Sequence, residues 1–290
     1  MQQQRASRAF LYVSAIGLTL FFLFPLIFMF ISSLKPSQQL LVDLHSWKAF
    51  APVGDISLDN YRGVFDRVPF GMFLFNSLIT AVITVLLGLA VNSALGFALA
   101  RIEWRGRGLV MATVLAMLIL PFDVLAIPTL FLVAKLPWLS VEGGLHLTQG
   151  WFNSYQVQIL PFAANAFSIF LFAQYFRSLP LELDEAARVD GASWFRIYRS
   201  VAVPLAGPSF GTVAILTFLP MWNAYLWPIM TIQEEQYRPI MVGLQYFYQQ
   251  NIVWGEIMAY LSLITIPVII LFFAMQRFFV ASIATSGMKG

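Results

Sequence analysis

The sequence predicts an all-α membrane protein with six transmembrane helices and both termini in the cytoplasm. Three observations predict it. First, 59% of the 290 residues are hydrophobic and only 11% are charged, against roughly 25% charged in soluble domains. Second, charges cut the chain into apolar blocks of about the 20 residues that a helix needs to cross the hydrocarbon. Third, the blocks run without polar alternation, which favours helices over the strands of a membrane barrel. Only those two architectures satisfy the backbone in lipid.

The first span is placed near 10–33, in the uncharged block Phe10 to Leu34. Its length exceeds the ~7–15 residues of a signal core, and no small-residue cleavage site interrupts it, so a retained helix is expected. The second span, near 72–98, lies in the uncharged block Val68 to Ala100. The third, near 108–134, contains one acid, Asp123. The fourth (157–176), fifth (203–230) and sixth (257–278) complete the set as a single transmembrane domain over 1–290, with 279–290 as a cytoplasmic tail. Pro25, Pro121, Pro128, Pro161, Pro220, Pro228 and Pro267 fall inside the blocks. Each removes a backbone hydrogen bond and kinks its helix. Ordinary bundle packing and broken helices around a solute path both account for them.

Orientation follows from the excess of Lys and Arg on the inner side. With the N-terminus inside, the inner segments hold 11 of the 17 Lys and Arg residues, and Arg101, Arg105 and Arg107 form the tightest cluster. Cysteine is absent, which excludes disulfides, thiolate catalysis and cysteine metal sites. His45 and His146 lie far apart, so no histidine metal site is expected. The net charge of +3 comes without a basic tract, giving no reason to expect nucleic acid. No Gly-x-x-x-x-Gly-Lys-Ser/Thr phosphate loop occurs. Clustered acids or a nucleophile for an enzyme, and a chain of intramembrane ionisable groups for a proton-coupled carrier, are equally missing.

The inner loop 177–204 reads RSLPLELDEAARVDGASWFRIYRSVAVP. Pro180 suits a first helical position, and Glu182, Asp184 and Glu185 put negative charge at the positive end of the dipole. Gly191 suits a helix-ending turn, and Ser193 suits the cap of a second helix. Trp194, Phe195, Ile197 and Tyr198 give that second helix an apolar face, and Pro204 marks entry to span five. The expectation is two short helices around a glycine turn. Mechanical coupling to another subunit and a plain solvated connector both fit such an element.

Glu185-Ala186-Ala187, then Asp190-Gly191, then Val203-Pro204, resembles the EAA loop of binding-protein-dependent ABC importer permeases. Ser32-Ser33-Leu34-Lys35-Pro36, Leu58-Asp59-Asn60-Tyr61, Phe75-Asn76-Ser77 and the Trp222–Pro228 run narrow the likeness to carbohydrate importers of the maltose-transporter type, and to the smaller of their two permeases. The resemblance implies a type I ABC importer permease fold in the plasma (inner) membrane. It implies a coupling site at Glu185, Ala186, Ala187, Asp190, Gly191 and Pro204, docking into an ATPase cleft. It further implies that the tail residues Met288, Lys289 and Gly290 contact the ATPases. The implied partners are a second permease, two ATPase subunits that carry ATP and Mg, and an extracytoplasmic solute-binding protein. No cofactor and no catalytic role is expected in this chain itself.

Polar groups inside the apolar blocks are the candidates for a solute path: Asn76, Asp123, Asn165, Trp222, Asn223, Tyr225 and Trp227. Asn76, Asn92 and Asn165 equally suit hydrogen bonding between helices. The Trp and Tyr residues suit either sugar faces or an interfacial aromatic belt. A sugar or sugar-like solute (oligosaccharide, disaccharide or polyol) is expected over a glycerol phosphate, because no intramembrane Arg or Lys offers an anion partner.

Overall fold

The computed structural model describes residues 2–140, 146–249 and 251–286; the tail residues Met288, Lys289 and Gly290 lie outside them. Among the described residues four helical runs are long and apolar enough to cross a membrane singly: Phe10–Ser32, Phe70–Arg101, Tyr155–Ser178 and Trp254–Ala274. Two sharply bent pairs raise the number to six if each is one span. The chain divides into two compact units, Met1–Phe70 with Gly243–Ile269 and Gly71–Val242 with Ile270–Gly290.

The first unit contains α1 (Gln2–Ser32), α2 (Ser37–Asp43) and α3 (Asp59–Arg67). The turn that follows α1 leaves carbonyls outside the helical pattern, and α3 supplies a donor to them. Asn60 Nδ2 donates to the carbonyls of Ser33 and Lys35, both at 2.8 Å, and Tyr61 meets Ser33 through their hydroxyls at 2.7 Å. The segments Ser32–Pro36 and Leu58–Tyr61 are thus one structural feature. Lys35 is buried, with its side chain 1% exposed. Its Nζ donates to Asp43 Oδ2 at 2.9 Å and to the Lys48 carbonyl at 2.5 Å. The hydrogen bond from Lys35 holds the Asp43 carboxyl below the usual carboxylate range. Elsewhere in this unit Arg67 pairs with Glu256 at 3.2 Å and covers the Phe247 ring.

The second unit is organised along α4 (Phe70–Arg101), about 48 Å long at 1.5 Å per residue. Around it run α5 (Arg107–Ile119), α6 (Phe122–Lys135), α7 (Tyr155–Ala163), α8 (Ala166–Ser178), α9 (Glu182–Val189), α10 (Trp194–Ile197), α11 (Val203–Leu205), α12 (Gly207–Trp222) and α13 (Leu226–Thr231). A Cβ on Gly96 would lie 2.6 Å from Phe172 Cβ and 3.0 Å from the Ala173 nitrogen. Glycine there lets α4 and α8 approach, as small residues do between membrane helices.

Several apolar blocks are broken rather than straight. Block 108–134 consists of α5 and α6 at 112°. Pro121 disfavours helix for the residue before it, and Leu120 is extended at ψ 117°. Block 157–176 breaks at Ala164–Asn165. Block 203–230 breaks at Asn223–Tyr225, and α12 is bent 81° from the helical run Trp194–Leu205 that enters it. The connection after α6 is not purely irregular: β1 (Pro137–Ser140) and β2 (His146–Gln149) pair antiparallel with Trp138 opposite Thr148. The long helix α14 (Trp254–Ser286) ends the described chain.

Two predictions follow from these contacts. Gly96→Ala gains up to about 1 kcal/mol of helix propensity but overpacks the α4–α8 contact at a cost of roughly 1–3 kcal/mol. The thermal midpoint in detergent is expected to fall, and an unchanged midpoint would contradict the close approach. The low pKa of Asp43 means that its contribution is complete above the unfolded value of about 3.9 and fades as pH drops through the folded value. Melting curves between pH 3 and 6 should show the unmutated protein losing stability on acidification more steeply than Asp43→Asn.

Candidate functional site

The loop between α8 and α12 forms a tight helical hairpin. Helix α9 carries Glu182, Asp184 and Glu185 in its first turn, where the dipole favours them. It begins two residues after Pro180, later than the sequence suggests, with Leu181 at the cap. Its end is a Schellman turn: Ala192 N donates to the Ala187 carbonyl at 2.9 Å, and Gly191 N to the Arg188 carbonyl at 3.0 Å. Gly191 sits at φ +78° with nothing within 4 Å of an added Cβ. Glycine is therefore required here by backbone conformation, not by crowding within this chain. Across the turn the Arg188 guanidinium covers the Trp194 ring at 5.1 Å, worth about 0.5–1 kcal/mol. Ser193 caps the second arm, accepting from Arg196 N at 3.4 Å. That arm runs through α10, a π-helical turn at Tyr198–Ala202, and α11. Such turns often mark functional sites.

One face of this hairpin is inward and the other open. Asp184 is buried and Ala187 half-buried, whereas Glu185, Ala186, Asp190, Gly191 and Pro204 are exposed. The alanine pair therefore divides: Ala187 and Ala192 pack with Trp194 against a core of Phe97, Phe172, Phe176 and Ile197, and Ala186 faces out. Val189 is 88% exposed, and Leu181 and Leu183 are exposed as well. Phe195, expected in the apolar face of the second arm, is 69% exposed, and Ile197 is fully buried. A cleft of about 460 Å³ runs between α9 and the end of α4, lined by Arg101, Glu103, Asp184, Glu185, Arg188 and Trp194 among others.

The seven solute-path candidates fall into two groups. Four hold the structure together. Asn76 donates to the Gln236 and Arg238 carbonyls at 2.8 and 2.9 Å and accepts from Tyr155 at 2.7 Å. Trp227 is buried, donates to the Val157 carbonyl at 2.8 Å and meets the rings of Phe122 and Phe162. Trp222 is buried and stacks on Phe218 at 5.6 Å. Asn165 caps α8 through Ser168 N at 3.0 Å, although the residue itself is exposed. The other three are exposed. Asp123 stands in the first turn of α6 at the 112° corner, exposed, its side chain making no hydrogen bond or ion pair with the described residues. Asn223 ends α12, donating to the Leu219 carbonyl at 2.9 Å. Tyr225 is 41% exposed in the break before α13.

Some functional geometry escaped the sequence reading. Arg101, read there only as a charge that orients the chain, is buried against Asp184 at 3.4 Å. Asn92 holds both sides of the α7–α8 break: its Nδ2 donates to the Ala163 carbonyl at 3.1 Å, and its Oδ1 accepts from Asn165 N at 2.9 Å. The polar residues of the long apolar helix were the signal available for both. Among the described residues no group of three metal-ligating side chains occurs.

Residues 92–285 match the protein family described as binding-protein-dependent transport system inner membrane component. The chain is 33% identical to the arabinooligosaccharides transport system permease protein AraQ of Bacillus subtilis, covering 96% of this chain and 97% of that one. It is 28% identical to the trehalose/maltose transport system permease protein MalG of Thermococcus litoralis, over 100% of both. In the crystal structure of a bacterial ABC transporter involved in the import of the acidic polysaccharide alginate, one chain superposes with a TM-score of 0.72 at 24% identity. The match covers 95% of this chain and 98% of that one. The likeness to that chain is one of fold, and it gives this chain the fold of the type I ABC importer permeases. The family match and the near full-length identity to AraQ establish that the chain belongs to the inner-membrane permeases of binding-protein-dependent transport systems.

Proposed function

We propose that this chain is one of two permease subunits of an ABC importer for a sugar or sugar-like solute, with six spans and both termini in the cytoplasm. ATP, with Mg, is hydrolysed on two partner ATPase subunits, and an extracytoplasmic binding protein delivers the solute. The observation that carries the reading is the 177–204 hairpin. It is a rigid, capped, glycine-turned projection whose outer side leaves Glu185, Ala186, Val189, Asp190 and Gly191 uncovered. A rigid projection with exposed apolar groups suits docking into an ATPase cleft. Closure of the ATPases would bias the permease between outward and inward states. The names of AraQ and MalG support a saccharide as the solute.

Along the path, Asp123, Asn223 and Tyr225 supply a carboxylate, an amide and an aromatic face to a polyhydroxylated solute. Asn76, Asn165, Trp222 and Trp227 hold the broken helices that present them. The tail Met288, Lys289 and Gly290 belongs to the same proposal as an ATPase contact.

A bulky side chain at Gly191 tests the docking element. Gly191→Leu meets no other atom of this chain near its Cβ but strains the turn at φ +78°, so it is paired with Ala186→Leu, exposed on helical backbone, which meets a docked partner without that strain. ATP hydrolysis and solute uptake are expected to become uncoupled, with uptake at least tenfold down in proteoliposomes; undiminished uptake would contradict the assignment. For the path, Asn223→Ala removes one polar contact of about 1 kcal/mol and Tyr225→Leu removes the aromatic face, so the solute KM is expected to rise about fivefold in each with assembly intact. Trp227→Phe should instead lower the thermal midpoint, because the Val157 carbonyl loses its donor. A KM unmoved in both path variants would remove these two residues from the path.

A further inference from the structure

Both arms of the 177–204 hairpin rest on one ridge of one helix. Ser93, Phe97 and Arg101 are spaced four apart on α4 and share a face. Ser93 Oγ meets the Tyr198 hydroxyl at 2.6 Å. The Phe97 ring lies 5.4 Å from Tyr198 and 6.4 Å from Trp194. Arg101 pairs with Asp184 at 3.4 Å and donates to the Leu179 carbonyl at 2.6 Å. The first two residues hold the arm after Gly191, and the third holds the arm before it.

The covalent route out of the hairpin is less direct. Toward α12 it passes a π-helical turn and then an 81° bend. The route through the ridge has no such break. The Arg101 side chain is 2% exposed and that of Asp184 11%. Its planar fork fixes two groups at once, so α9 cannot tilt without carrying the end of α4 with it. Next to Ser93 on the same helix, Asn92 grips both sides of the α7–α8 break. Movement of α4 therefore reaches a point where a span is already interrupted. We infer that α4 receives the displacement of the hairpin through the Ser93–Phe97–Arg101 ridge, and that Arg101 is the positioning residue that transmits it. This rests on the importer reading above.

The test uses the whole transporter in proteoliposomes with its binding protein and solute, measuring uptake and ATP hydrolysis in the same vesicles. Arg101→Gln is expected to leave ATP hydrolysis within twofold while solute moved per ATP falls at least tenfold. Asp184→Asn should match it, and the double variant should be no worse than either single one. Arg101→Lys, which keeps the charge without the fork, should recover part of the loss. Tyr198→Phe, which removes only one hydroxyl, gives a milder loss of about threefold and keeps the test open if Arg101→Gln fails to assemble. Unchanged solute per ATP in these variants, or uptake and hydrolysis falling in proportion, overturns the inference. An unmutated transporter that takes up solute without ATP overturns the importer reading itself, and this inference with it.

Discussion

Hydrocarbon offers no hydrogen bonds, so every interruption of a spanning helix has to be repaired by a neighbouring side chain. At the α7–α8 break and beside the 177–204 hairpin that neighbour is α4. Asn76 takes up the carbonyls of Gln236 and Arg238, and Ser77 accepts from Ile240 N at 2.7 Å. Asn92 bridges Ala163 and Asn165, and Arg101 takes up the Leu179 carbonyl. All four side chains are buried on a largely apolar helix. Their placement decides where α7, α8 and the 177–204 hairpin are allowed to break.

The end of α4 shows the same economy in reverse. Its last carbonyls run out of helical partners: Arg177 and Arg107 reach those of Leu99 and Ala100 at 3.4–3.5 Å, and Trp104 joins Ile102 N on that of Ala98 at 3.4 Å. Arg107, one member of the cluster that orients the chain in the sequence, thus also helps close the helix that supports the hairpin. Cations at a helix C-terminus are favoured by its dipole. The two roles need no separate residues.

Much of this was legible in the sequence. The hairpin could be read because its signals are local: acids in a first turn, a glycine at the stop and a serine at the next cap. Nothing in the order of Ser32–Pro36 and Leu58–Tyr61 along the chain shows that they touch, and Asn60 joins them. What could not be read was three-dimensional. The prolines announced kinks, but nothing in the spacing of Pro121 gives 112° rather than a slight bend. The run from Trp222 to Trp227 looked like one aromatic cluster. Its two tryptophans turn inward and leave Asn223 and Tyr225 outside, because the helix breaks between them. The hairpin at 137–149 carries too short an alternation to stand out within a long connection.

The claim on which the account stands is that the open face of the 177–204 hairpin meets an ATPase inside the cell. The sequence contains no cysteine, and Val189 is 88% exposed, so a single cysteine placed there reports alone. A membrane-impermeant maleimide should label Val189→Cys in inside-out vesicles stripped of ATPase subunits, with the subunits protecting it when restored and no labelling from outside intact cells. Labelling from outside, or labelling indifferent to the ATPase, would contradict the account.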